Sequence, residues 1–234
     1  MIVLIITAVR VKSMDSHRIS GRILAENIAG PGMMRLVEQS MQAQAQKTSV
    51  TEIAVKEWKH PQAALTFDDG PDIRYTPLLL DGLKERNVRA SFFLLGEKVE
   101  QYPELVERMQ KEGHLVGNHT YHHVQLNKLN ETKAREEILK TNNLIYETTG
   151  VYPLYLRPPF GAWKKNLELC VEMLPVFWTI DTLDWKVKNT EKIVRTVKEQ
   201  IEDGAIILMH DEYDTSVEAA LQVVDEQVGG QAVL

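Results

Sequence analysis

From residue 62 onward, short apolar runs alternate with longer segments whose apolar positions recur at helical spacing. The runs cover 63–67, 90–95, 114–117, 154–156, 176–180 and 205–209, lengths that suit strands and fall short of helices. Helix punctuation separates them. Thr76-Pro77 reads as a cap with a first-turn proline, Pro103 opens a segment ending at Gly113, and Gly150 and Gly204 close two others. Over 189–203, Ile193, Val194, Val197 and Ile201 share one helical face. Strand and helix in alternation predict an α/β fold with a parallel sheet. Runs that are apolar throughout predict strands covered on both faces.

Polar residues of chemical interest fall just past the carboxyl ends of these runs. Asp68 and Asp69 follow the first, His119 to His123 the third, Arg157 the fourth, Asp184 and Trp185 the fifth, and His210 the sixth. In parallel α/β folds, side chains from different strands converge at that edge to form active sites. Adjacent residues on a strand face opposite ways, so Asp68 and Asp69 can serve one site only if the chain turns there. Gly70-Pro71 supplies the turn; by itself the stretch also reads as a surface turn. His119 and His123 are four apart, a spacing that puts two imidazoles on one face of a helical turn and suits one metal ion. Asp69 is the candidate third ligand; a solvated polar turn is the plain alternative. In a helical turn His122 would point about 100° away from the pair. His17, His60 and His114 read as packed or exposed residues. Arg157-Pro158-Pro159-Phe160-Gly161 also reads as a stiff structural turn, and Asp181 to Trp185 as a helix cap with a core tryptophan.

Composition narrows the class. The chain has 234 residues, 44% hydrophobic and 26% charged, which allows one sizeable globular core and gives no reason to expect extended disorder. A net charge of −6, without interleaved basic and aromatic clusters, predicts no nucleic-acid partner. No protein partner is predicted either. The single cysteine, Cys170, excludes an internal disulfide and reads as a helix packing residue. Met1 to Val9 is apolar except for Thr7, yet a bilayer span needs about 20 residues. With Arg10 and Lys12 behind it, the stretch fits a truncated signal anchor no better than a local strand or a mis-set start. Residues 1–58 form the expected amino-terminal segment, with a helix over 35–46 and no identifiable chemistry, and 59–234 form the expected catalytic domain.

Taken in order, Thr66-Phe67-Asp68-Asp69-Gly70-Pro71, His119-Thr120-Tyr121-His122-His123, Arg157-Pro158-Pro159-Phe160-Gly161, Asp181-Thr182-Leu183-Asp184-Trp185 and Leu208-Met209-His210 resemble the motifs of the polysaccharide deacetylases, the nodulation-protein-B-type carbohydrate esterases. The resemblance covers about residues 60 to 224. It implies a distorted (β/α) barrel with fewer than eight regular repeats. It also implies that Asp69, His119 and His123 bind one divalent ion, zinc or alternatively cobalt or another, that Asp68 is the base acting on water, and that Arg157 orients Asp68. Further, it implies that the Phe160 N–H faces the oxyanion, that Asp184 holds His210 as the acid for the leaving amine, and that Trp185 and Leu208 line the acetyl pocket. The substrate implied is an acetylated glycan, with N-acetylglucosamine in peptidoglycan or a chitin-like oligosaccharide as first choice, and an extracytoplasmic or cell-surface location follows from it. An O-acetyl esterase on xylan and a catalytically impaired carbohydrate-binding relative remain alternatives; a two-metal phosphoesterase lacks ligands. Members of the family usually end on a further strand. Here Val223-Val224-Asp225 runs into Glu226-Gln227-Val228-Gly229-Gly230, so the closing strand is expected to be missing or shortened, leaving an edge that favours instability or association.

Overall fold

The computed structural model describes residues 63–163 and 173–228. The amino-terminal anchor and linker, the helix expected over 35–46, the domain boundary at 58, His17, His60, Cys170 and the tail beyond 228 lie outside the described residues. Seven strands, β1 (Ala63–Asp68), β2 (Ser91–Leu94), β3 (Leu115–Asn118), β4 (Tyr155–Leu156), β5 (Leu174–Pro175), β6 (Ile180–Asp181) and β7 (Ala205–His210), form one sheet in the order β5-β4-β3-β2-β1-β7-β6. Every pair is parallel. The sheet curls into a half-barrel, with helices α1 (Tyr75–Glu85), α2 (Gly96–Gln101), α3 (Pro103–Lys111), α4 (Glu131–Thr149), α5 (Asp184–Val187), α6 (Thr190–Gln200) and α7 (Asp214–Val228) between strands. None of the described helices is long and apolar enough to cross a membrane, and among the described residues no strand follows α7.

The two sheet faces are both buried but chemically different. Leu65, Phe67, Phe92, Leu94, Ile207 and Met209 belong to the main apolar core, with Leu79, Leu80 and Leu83 of α1 and Ile193, Val194 and Val197 of α6. Full burial of such a side chain is worth roughly 1.5–3 kcal/mol, so this face carries much of the stability. Alternation sends Thr66, Asp68, Leu208 and His210 to the barrel interior, where register pairs Thr66 with Leu208 and Asp68 with His210. The expectation of apolar cover on both faces therefore holds only for the helix-covered face. The other lines a polar interior.

One expected strand is divided. The run 176–180 does not form a single strand: β5 lies just before it, against β4, and β6 at its end, against β7. These are opposite edges of the sheet, and residues 176–178 cross between them. Val176 N–H donates to Leu156 O at 2.8 Å and Thr179 N–H to Ile206 O at 2.9 Å, so the backbone changes partner within four residues. Thr76 also differs from expectation. It lies inside α1, and Asp72 Oδ1 accepts from Arg74 and Tyr75 N–H, both at 2.8 Å, to satisfy the helix start. Two expected ends are present: α3 opens at Pro103, and Gly150 caps α4 with φ 71°; Gly204 does not close α6, which ends at Gln200 with Ile201 extended.

Candidate active site

β1 delivers Asp68 at its last position, and Asp69 then takes φ 68°. This left-handed step turns the chain so that two adjacent carboxylates reach one site, as the strand argument required. Asp68 is buried; its Oδ1 accepts from Arg157 Nη1 at 2.7 Å, and its Oδ2 lies 3.6 Å from His119 Nε2. Arg157 is fully buried beneath it, donating also to Thr66 Oγ1 at 2.8 Å and lying over the Phe93 ring at 4.2 Å. Burial pushes the Asp68 carboxyl above its ordinary pKa, outweighing Arg157, His210 and His123. Arg157 alone would have lowered it.

His119 and His123 flank a loop, not a helical turn. Thr120 and His123 take φ 68° and 54°, and the two rings come together at 5.1 Å between centroids. His122 turns to Glu137, 2.7 Å from Nδ1 to Oε1, so a different geometry from the expected one excludes it from the pair. His119 Nδ1 donates to Arg157 O at 2.7 Å, which leaves the Nε2 lone pair facing Asp69. Burial lowers the His119 pKa to about 3, against the pull of Asp69, so this imidazole is neutral. His119 Nε2 and His123 Nε2 each lie 3.4 Å from Asp69 Oδ1, an oxygen that is buried and has no hydrogen-bond partner. Ligand atoms of these three residues fall within 4.8 Å of one another. An orphaned carboxylate oxygen facing two imidazole nitrogens fits a divalent cation, with the hydrogen-bonded Nδ1 of His119 typical of a metal-ligating histidine.

Across the cleft, Asp184 Oδ1 accepts from His210 Nδ1 at 2.7 Å, while its Oδ2 accepts from His210 N–H and Ser216 Oγ, both at 2.7 Å. The opposite ring nitrogen, Nε2, lies 3.9 Å from Asp69 Oδ2. Burial alone would lower the His210 pKa, but the bond to Asp184 and the charges of Asp184, Asp68 and Asp69 raise it to about 9. Phe160 takes φ 60°, and its exposed ring lies 4.5 Å from that of His123. Trp185 is 49% exposed, whereas Leu208 is buried two residues before His210 on the same strand.

Comparison with known proteins gives the same family as the motifs. The polysaccharide deacetylase family model matches residues 56–176, more than half of the chain. The chain belongs to the polysaccharide deacetylase family. It is 40% identical over 168 residues to the peptidoglycan-N-acetylglucosamine deacetylase of Bacillus cereus, covering 70% of this chain and 61% of that one. Identity to the peptidoglycan-N-acetylglucosamine deacetylase PgdA of Listeria monocytogenes is 44%, covering 65% of this chain and 33% of that one. The chain thus spans less than two thirds of the length of these curated relatives. The solved structure of peptidoglycan deacetylase PdaC from Bacillus subtilis superposes with a TM-score of 0.69 at 40% identity, covering 72% of this chain and 83% of that one. The distorted (β/α) barrel expected from the motifs is the architecture this deacetylase family member has.

Several contributors to the site were not read from the sequence. Thr66 accepts from Arg157 and donates to Ile207 O at 2.6 Å; its place two residues before Asp68 on one strand face was the available signal. Ser216 and Glu137 sit on helices far along the chain and had no local signal. Asp211 is buried beneath the Asp68–Pro71 turn, hydrogen-bonded by Thr76 Oγ1, with Oδ1 unpartnered. A Cβ at Gly70 would fall 2.5 Å from that Oδ1, so this turn needs glycine for space. Burial raises the Asp211 pKa to about 7, against the pull of Thr76 and Lys98.

Proposed function

We propose that this protein is a metal-dependent hydrolase that removes N-acetyl groups from N-acetylglucosamine residues of peptidoglycan or a chitin-like glycan, releasing acetate. The observation that carries the reading is the orphaned Asp69 Oδ1 facing His119 Nε2 and His123 Nε2 beside two separately held proton-transfer groups. A zinc, cobalt or similar ion held by these three residues would lower the pKa of water and polarise the acetyl carbonyl.

The other residues divide the remaining chemistry. Asp68, held by Arg157 Nη1, takes the proton from the attacking water, whose oxygen adds to the acetyl carbon. The Phe160 N–H offers a donor to the resulting oxyanion. His210 carries its proton at Nε2, because Nδ1–H is engaged by Asp184, and gives it to the nitrogen as the C–N bond breaks. Acetate and a free amine leave. Trp185 and Leu208 flank the methyl group. A raised His210 pKa suits an amide better than an ester, since an amine leaves poorly unless protonated. A wall substrate implies that this protein works outside the cytoplasmic membrane.

The test is acetate release from matched N-acetylated and O-acetylated glycans, with protein stripped by chelator and then restored with zinc or cobalt. Metal-restored release from the N-acetylated glycan is expected. Release that ignores chelation, or occurs only from the O-acetylated glycan, overturns the reading.

A further inference from the structure

The loop carrying both imidazoles has an unusual backbone. Thr120 and His123 both lie in the left-handed region, a conformation that residues with side chains keep only when their surroundings hold it. His119 needs no such help, being buried at the end of β3 with Nδ1 tied to Arg157 O. His123 does, because its side chain is 30% exposed and its position depends on the four residues between it and the strand.

Those residues are fastened at two levels. Near the strand, Asn118 Oδ1 accepts from Thr120 N–H at 2.7 Å, and Gly96 N–H donates to Thr120 O at 3.0 Å. At the middle of the loop, Tyr121 O accepts from Glu97 N–H at 3.3 Å and the Tyr121 hydroxyl donates to Glu100, while one further carboxylate takes the donors of two residues. Glu137 Oε2 accepts from Tyr121 N–H at 3.0 Å and from His122 N–H at 2.9 Å, and Oε1 accepts from His122 Nδ1 at 2.7 Å. The His122 ring packs edge-on against Tyr121 at 4.4 Å, which closes the arrangement. Three donors from two consecutive residues thus converge on one side chain of α4, with the carboxylate 15% exposed. A carboxylate of this length satisfies all three with Nδ1 as the donor. Glutamine can keep the two N–H bonds through its oxygen and meet His122 only through the other imidazole tautomer, and aspartate is one methylene short.

We propose that Glu137 is a positioning residue that holds the His119–His123 loop in the conformation bringing His123 to Asp69, with His122 as the other half of the clamp. The inference rests on the proposed metal site. Its consequence is that a residue which touches neither ion nor substrate sets how well the ion is held. Direct hydrogen-bond partners of ligand side chains typically change metal affinity by about 10- to 100-fold; acting through the loop between the ligands, Glu137 is expected at the low end of that range.

Metal affinity measured by competition with a chromophoric chelator, together with the visible spectrum of the cobalt form, tests it on the full chain. Glu137→Ala is expected to weaken affinity by about 10-fold and to alter the cobalt spectrum, with apparent activity recovering in excess metal. Glu137→Gln, whose oxygen keeps the two N–H bonds, and His122→Ala, which removes only one of the three bonds, are expected to weaken it less. Glu137→Asp keeps the charge but falls one methylene short, so it reports even if Glu137→Ala does not fold. Affinity and spectrum both unchanged in Glu137→Ala, or in Glu137→Asp where the alanine variant does not fold, would overturn the clamp. His119→Ala separates the two readings: if it too keeps wild-type affinity, the metal site itself is wrong, whereas loss in His119→Ala alone removes only the role of Glu137.

Discussion

His210 and His114 show how one residue type acquires opposite properties from its neighbours. His114 is buried and His210 partly so, yet Asp184 and the Asp68–Asp69 pair raise the His210 pKa to about 9, while burial lowers that of His114 to about 4 with Glu112 unable to compensate. A catalytic acid must be protonated, so kcat/KM for an N-acetylated substrate is expected to fall on the alkaline side. A cation across the cleft opposes the carboxylates, so the midpoint of the loaded enzyme should lie below about 9. His210→Ala should slow amide hydrolysis by about 10²- to 10⁴-fold and slow an activated ester much less; equal losses would remove the acid role. For His114 the linkage runs through stability. Its folded pKa lies below the unfolded 6.5, so the unfolded chain binds the extra proton, and stability present above pH 6.5 is lost as pH falls towards 4. At 2% side-chain exposure, the shift corresponds to roughly 3 kcal/mol. His114→Asn retains an acceptor for Ala90 N–H, now 3.1 Å from Nδ1. Urea unfolding of this variant should show a flatter pH dependence than wild type between pH 4 and 6.5.

At the scale of elements, the site depends on how closely α2, α4 and the loop after β3 approach one another. Gly96, the first residue of α2, makes this contact possible. A methyl group there would overlap the side chains of Thr141 and Tyr121, and would lie 3.1 Å from Tyr121 Cα, a backbone atom that cannot rotate aside. Gly96→Ala is therefore expected to cost about 1–3 kcal/mol by overpacking. It should also loosen metal binding, because Gly96 N–H anchors Thr120 O. Thermal unfolding read beside a chelator competition checks both effects; stability lost with affinity intact would show that the loop tolerates displacement of α2. This contact was not legible in the chain. A glycine after a strand reads as a helix start or turn, and nothing local to it announces a side chain from residue 121 or 141.

Across the whole molecule, Asp69 from β1 and the two histidines past β3 come from strands separated by β2, so an ion bound there ties the sheet together. A ligand that binds only the folded state adds about 2.7 kcal/mol at 100 times its Kd. Zinc should therefore raise the Tm of wild type and of Asp68→Asn, which retains the three ligands, but not that of Asp69→Ala; a rise in Asp69→Ala with none in Asp68→Asn would exchange the two roles. The sequence by itself determined the alternation of strand and helix, the family, and the position of Asp68, Asp69, His119, Arg157, Asp184 and His210 at or just past strand ends. The alternation and the positions follow from periodicity and turn residues, which act over a few positions, and the family from the resemblance of the ordered motifs. Only the tertiary structure decided that residues 176–180 divide between two sheet edges, because an apolar run carries no mark of which neighbour it will pair with. It also decided that His119 and His123 meet through a left-handed loop instead of a helical turn. Residue spacing limits which side chains can meet, but the backbone path between them is set by groups brought in from elsewhere, here Asn118, Gly96 and the carboxylate of Glu137.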